Sequence, residues 1–383
     1  MTSRLHELSA LGQSVWIDSI SRQWLREGFL ERLIREDAVV GVTSNPTIFQ
    51  KALAEGDWYD DQLRPLLARS ESASAGSELA HEVLVEEDDP KEVFYRLAVE
   101  DIKDACDVLR QVWDEGSGQD GYVSMEVDPT LAHDTEATLK EALRLHEWID
   151  RPNLLVKIPA TQEGLTAIEE SIARGKSINV TLIFSLERYA EVAEAYVRGL
   201  ERLVTGGGDP STVTSVASFF VSRVDSEADT RLDAAGRPDL KGRLAVANAK
   251  LAYRRYGEIF SGGRWDALAA RGATPQRCLW ASTSTKNPDY PDTLYVDQLI
   301  GPETVNTMPL ETIEAFQDHG TVAPTLEQGV DEAEALLGEL ERAGVDYDDV
   351  TETLEREGVE KFADSFEQLL AGIRAKRSQL AAA

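Results

Sequence analysis

The chain has 383 residues, 42% of them hydrophobic, and a formal net charge of −30. So acidic a chain is expected to bind neither nucleic acid nor anionic membrane surfaces, whose phosphates it would repel. Its two cysteines, Cys106 and Cys278, stand far apart without a CxxC spacing, which excludes a cysteine zinc site and fits a reducing compartment.

The N-terminal stretch lacks a charged segment followed by an apolar one, and no apolar run approaches the roughly 18 residues of a membrane span. A cytoplasmic protein is therefore expected. Along the chain, short apolar or β-branched runs recur as eight strand candidates. They lie near 14–20, 38–46, 122–129, 154–161, 177–185, 213–225, 278–285 and 303–310.

The segments between them carry helical periodicity. Leu186, Tyr189, Ala193, Tyr196, Leu200 and Leu203 share one face, with Ser185 as the N-cap. Leu165, Ile168 and Ile172 repeat the pattern before Gly175, and Leu139, Ala142, Leu143 and Ile149 do so again. Alternating strands and helices predict parallel pairing through right-handed crossovers, an α/β protein. Eight such units fit a closed (β/α)8 TIM barrel better than an open doubly wound sheet. The glycine cluster at 205–211 precedes a strand, whereas a phosphate-cradling loop belongs between strand and helix.

Long connections near 47–120 and 226–276 read as helical insertions on a single barrel domain spanning 1–383. The acidic, helical segment near 326–380 is expected either to pack beneath the barrel or to fold over its mouth.

Chemistry in such barrels collects where the strands end, and polar residues gather there. Asp18 ends the first run; Thr43, Ser44 and Asn45 end the second. Glu126 and Asp128 close the third, and the fourth, "LLVKIPAT", sets Lys157 among apolar neighbours. Asn179 and Thr181 are two apart on the fifth and so share a face. Ser218 and Arg223 belong to the sixth run, Ser282 and Ser284 share a face of the seventh, and Lys286 lies just beyond it.

Each residue alone is more simply a cap, a turn or a local backbone partner. A convergent ring of them on successive strands would forfeit core packing for no structural return. His6, His81, His133, His146 and His319 all fall in helical or loop segments, which disfavours Ser-His and Cys-His catalysis. Asp18, Glu126 and Asp128 alone would suit a magnesium ion, but a lysine among them competes for the carboxylates. Lysine with carboxylates and amides suits Schiff-base chemistry, provided that the apolar neighbours disfavour the ammonium form of Lys157.

The motifs "GQSVWIDSISR", "GVTSNPTIF", "VSMEVDP", "LLVKIPAT", "INVTLIFS" and "SFFVSRVD" resemble, in order, those of the transaldolases of the pentose phosphate pathway. The likeness spans roughly residues 11–310. It implies a class I aldolase-type (β/α)8 barrel that needs no metal or cofactor and moves a dihydroxyacetone unit between phosphorylated sugars. Lys157 would form the Schiff base, and Glu126 would be the acid and base, working through a water that Thr181 helps to hold. Asp18 would handle the hydroxyl proton of carbon–carbon cleavage. Asn45 and Asn179 would hold the dihydroxyacetone hydroxyls, with Thr43, Ser218 and Ser282 lining the site. Arg223 would bind the distal phosphate. Where many relatives carry an arginine in an "AS-x-R-N"-like motif, "ASTSTKN" offers Lys286 two residues later. The implied ligands are small sugar phosphates. A lyase releasing free dihydroxyacetone and a non-catalytic sugar-phosphate barrel are the rival readings.

Overall fold

The computed structural model describes residues 3–54, 56–64 and 89–382. Among them, eight parallel strands close into a barrel in chain order, with the last paired to the first. The closed barrel expected from the strand and helix alternation is the one observed, and the open sheet is excluded.

Helix α1 (Arg4–Ala10) precedes β1 (Gln13–Ile17), and α2 (Arg22–Arg26) and α3 (Phe29–Asp37) lead to β2 (Val39–Val42). Helices α4 (Pro46–Ala54), α5 (Pro90–Val108) and α6 (Arg110–Glu115) lie between β2 and β3 (Tyr122–Glu126). Part of that expected insertion, residues 55 and 65–88 with His81, falls outside the described residues. Helix α7 (Thr135–Ile149) then leads to β4 (Leu154–Pro159), α8 (Gln162–Ala173) to β5 (Ile178–Ile183), and α9 (Leu186–Thr205) to β6 (Ser215–Phe220). Helices α10 (Ser222–Ala234), α11 (Leu244–Ile259) and α12 (Gly262–Ala269) separate β6 from β7 (Arg277–Ala281). After α13 (Leu294–Gln298) and β8 (Thr304–Met308) come α14 (Leu310–His319), α15 (Val330–Arg342) and α16 (Tyr347–Ala382).

Local chemistry starts these helices where the sequence suggests. The Ser185 side chain accepts from the Arg188 amide at the head of α9, and Thr161 accepts from Gly164 at the head of α8. The buried face of α7 is turned from the expected one. Thr138, Glu141 and Leu145 are buried with Ala142 and Ile149, while Leu139 and Leu143 are half-buried. Glu141 is drawn inward by Lys91 and Arg144, at 3.7 and 3.3 Å.

Most strands stop short of the predicted runs, because the polar residues at their ends leave the ladder. The largest correction concerns the sixth run. After Phe220 the chain turns, the Ser222 amide bonds to the Ser282 carbonyl at 3.0 Å, and Arg223 lies in the first turn of α10, not on a strand.

The N-terminal end of the barrel is plugged. Arg277 donates to Ser14 at 2.8 Å and to Asp120 at 3.1 Å, and Trp16 Nε1 donates to Asp120 at 3.2 Å. A Cβ at residue 41 would lie 2.5 Å from the Trp16 ring, so this strand position admits only glycine.

The C-terminal segment takes the second of its two expected placements: α16 crosses the mouth. Arg231 holds Asp349, and Arg188 meets Glu355 at 3.2 Å. On the far side Thr47 bonds Ser365 at 3.0 Å, and Lys376 pairs with Asp60 at 2.7 Å. Between these ties Gly358 comes so close to β5 that a Cβ there would lie 3.1 Å from Leu182.

Candidate active site

Between the strand ends and α16 lies a cavity of about 360 Å³. Its wall includes Asp18, Thr43, Asn45, Lys157, Thr181, Ser218, Arg223, Ser282 and Lys286, nine residues singled out from the sequence. Glu126 and Asn179 sit behind that wall. Register explains the layering: Glu126 is opposite Lys157 across β3 and β4, and Lys157 is opposite Asn179 across β4 and β5.

Lys157 and Glu126 are only 5% and 4% exposed. Lys157 Nζ donates to the Ser44 carbonyl at 3.0 Å and lies 3.4 Å from Glu126 Oε2. The amine thus meets a carboxylate and a carbonyl as well as the apolar walls expected from its strand. Burial pushes the Glu126 carboxyl above the ordinary carboxylate range, against the pull of the Lys157 charge. Both Glu126 oxygens and the Thr181 hydroxyl are buried, and among the described residues they have no hydrogen-bond partner, Oε2 facing Lys157 as an ion pair only. Orphaned groups of this kind are costly in a folded protein, and they suit a site that receives a small polar molecule.

Asp18 stands at the end of β1. The Thr307 hydroxyl donates to Thr43, which donates to Asp18, each at 2.6 Å. Withdrawal from water raises the Asp18 pKa, opposed by Lys157, the Thr43 hydroxyl, Arg223 and Lys286.

The two asparagines are placed differently from each other. Asn179 is fully engaged: it donates to Ser124 at 3.0 Å and accepts from Ser218 at 2.7 Å, so Ser218 stands between it and the cavity. Asn45 lines the cavity, and its Oδ1 accepts from the Ile48 amide at 3.0 Å to cap α4. Asp128 caps the single turn at Pro129–Leu131 and pairs with Lys91 at 2.7 Å, away from the lysine.

At the other end of the cavity the charge turns positive. The Arg223 guanidinium packs 5.2 Å from the Phe220 ring and 5.8 Å from the Phe362 ring. Burial lowers its pKa, opposed by Asp18. Lys286 donates to Ser284 at 2.5 Å. Burial lowers its pKa too, and the Arg223 charge adds to the effect. Ser282 and Ser284 follow β7 in a loop instead of sharing a strand face, yet both line the cavity, Ser282 with a φ of 56°.

Several lining residues were not anticipated: Thr307, Phe220, Lys51, Glu311, Lys361 and Phe362. Phe220 follows Ser218 by two on one strand, so the period of two could have found it. Nothing local in the sequence ties Lys361 or Phe362 to the barrel.

A family model described as transaldolase/fructose-6-phosphate aldolase matches residues 15–373. The chain belongs to this family. It is 52% identical over 377 residues to a transaldolase of Frankia alni, covering 97% of each chain. A transaldolase of Thermobifida fusca is 53% identical over 374 residues, again with 97% of each chain covered. One of Mycolicibacterium paratuberculosis is 50% identical over 371 residues, 96% of this chain and 95% of the relative.

The transaldolase/fructose-6-phosphate aldolase match runs from β1 well into α16, so the helix over the mouth lies within it. Among the described residues no helix is long and apolar enough to cross a membrane.

Proposed function

We propose that the protein is a transaldolase. It transfers a dihydroxyacetone unit reversibly from sedoheptulose 7-phosphate to glyceraldehyde 3-phosphate, giving erythrose 4-phosphate and fructose 6-phosphate. The observation that carries the reading is the buried Lys157–Glu126 ion pair with the unpartnered Thr181 hydroxyl, and cations at the opposite end of one cavity. Family membership and relatives named transaldolase support it.

The Lys157 amine attacks the ketose carbonyl. Glu126 moves protons as the carbinolamine loses water to give the iminium, through a water that the free Thr181 hydroxyl is suited to hold. Asp18 takes the proton of the C4 hydroxyl. The C3–C4 bond breaks, its electrons flow into the iminium, and an aldose phosphate leaves an enamine on Lys157. A second aldehyde then reverses these steps. Asn45 and Ser218 hold the hydroxyls of the bound unit, with Asn179 orienting Ser218. Arg223 and Lys286, with Ser282, hold the phosphate. We read the barrel, its intervening helices and α16 as one domain. The buried thiols Cys106 and Cys278 suit a cytoplasmic setting.

Borohydride added with fructose 6-phosphate should fix a dihydroxyacetone-derived adduct on the peptide containing Lys157, and Lys157→Met should abolish both trapping and turnover. An adduct on another lysine would overturn the assignment. Rapid release of dihydroxyacetone without an acceptor would turn the transferase into a lyase on the same site.

A further inference from the structure

We propose that Lys361, carried on α16, is a third cation of the phosphate site, so that the C-terminal helix selects phosphorylated sugars together with the barrel. The inference rests on the transaldolase reading and names a residue and an element that this reading does not include.

The chain has 39 lysines and arginines against 69 aspartates and glutamates, so acidic partners are in ample supply. Arg188, Arg231 and Lys376, around the same helix, all have carboxylate partners. Arg223, Lys286, Lys361 and Lys51 have none within 4 Å among the described residues, although each lines the inner cavity. Of these, Arg223, Lys286 and Lys361 also line a second chamber of about 590 Å³, together with Glu227, Glu357, Glu360 and Asp364.

The helix offers Lys361 a ready partner. Glu357 stands four residues before it, the orientation in which a helical Glu–Lys pair forms most favourably. Lys361 does not take that pair. Its charge reaches Lys286 instead, where it helps to disfavour the ammonium form. Lys286 thus meets the like charges of Arg223 and Lys361, opposed by Glu311 and Asp18, and a bound anion would relieve the repulsion.

The next residue fixes the register. Phe362 is 4% exposed, and its ring lies 5.9 Å from Lys157 Nζ and 5.8 Å from the Arg223 guanidinium. The helix is thereby wedged between the reactive amine and the phosphate end. Its ties to Arg188 and Arg231 on one side and to Thr47 on the other hold Lys361 over the cavity.

Lys361→Met keeps a good helix former at an exposed position, so the fold should stand. Loss of one charged contact to phosphate should raise KM for fructose 6-phosphate about tenfold, with kcat within about twofold. Competitive inhibition by inorganic phosphate should weaken by a similar factor. Turnover of unphosphorylated fructose should be unchanged, and Lys361→Arg should restore the parent's KM. The rise in Tm that phosphate produces, read without turnover, should shrink in Lys361→Met. An unaltered KM with an unaltered phosphate response would overturn the proposal. A parent protein with no turnover but a Lys361-dependent phosphate response would refute the transaldolase reading and leave the cation site standing.

Discussion

Helix α10 carries Arg223 into the cavity, and the same first turn holds a buried acid, Asp225, that should make stability depend on pH. Asp225 is 1% exposed and accepts from the Ala245 amide at 2.8 Å and the Tyr295 hydroxyl at 3.0 Å. Asp229, one turn on, accepts from the Gly242 amide at 2.9 Å and the Tyr290 hydroxyl at 2.6 Å. No cation pairs with either among the described residues. Burial, with the Asp229 charge adding to it, pushes Asp225 up to about 7 from an ordinary value of 3.8. The folded chain therefore keeps a proton that the unfolded chain has released.

Stability from this carboxyl is fully present below the unfolded pKa and is lost as pH rises toward the folded one, between about pH 4 and 7. From pH 4.5 upward the loss is about 2.5 pH units at 1.4 kcal/mol each, or about 3 kcal/mol. At about 2 cal/mol/K of unfolding entropy per residue, a chain of this length should lose roughly 4 °C in Tm. In Asp225→Asn the amide oxygen can accept from Ala245 while the amide nitrogen donates to the Tyr295 hydroxyl, and no titration remains. Scanning calorimetry from pH 4.5 to 8 should show the variant gaining about 4 °C on the parent as pH rises. A constant difference between the two curves would refute the reasoning.

Glu126→Gln should lower kcat by ~10²–10⁴-fold, measured by coupled detection of glyceraldehyde 3-phosphate, with a smaller effect on donor binding; a change under about threefold removes Glu126 from the mechanism. Arg223→Ala should raise KM for fructose 6-phosphate roughly 10- to 150-fold, the cost of a lost charged hydrogen-bonding partner, and an unchanged KM would place the phosphate elsewhere. Incubation with EDTA should leave the rate unaltered, since a protonated imine supplies the electron sink; recovery of a chelated enzyme on adding zinc would contradict the imine.

Lys157 was legible because a charged residue inside an apolar strand conflicts with its surroundings. The alternation of strand and helix was legible for the same kind of reason, since period fixes the element. Period also placed Asn179 and Thr181 on one face. It could not say that Ser218 would stand between Asn179 and the cavity, because the order of two hydroxyls and an amide across strands is set by side-chain geometry. The run "SFFVSRVD" reads as strand through Arg223, whereas the turn into α10 depends on a bond from Ser222 to Ser282, some 60 residues away. The placement of α16 was undecided on similar grounds. Amphipathicity says that a helix buries one face, and it does not say against what.

The net charge of −30 argues against polyanionic partners, yet the proposed substrates are anions themselves. The two statements act over different distances. At physiological salt, fields are screened within about 8 Å, so a small phosphate inside the cavity hardly feels carboxylates on the distant surface. It feels Arg223, Lys286 and Lys361, which are short of carboxylate partners in a chain rich in them. A long polyanion cannot shrink into that cavity and would meet the acidic coat over its whole length. On the proposed function, the acidic chain and the cationic pocket would divide anions by size, one repelling polymers and the other admitting a phosphate ester. Added salt should accordingly reduce the distant repulsion more than the pocket's hold on phosphate, because partly buried charges are screened much less.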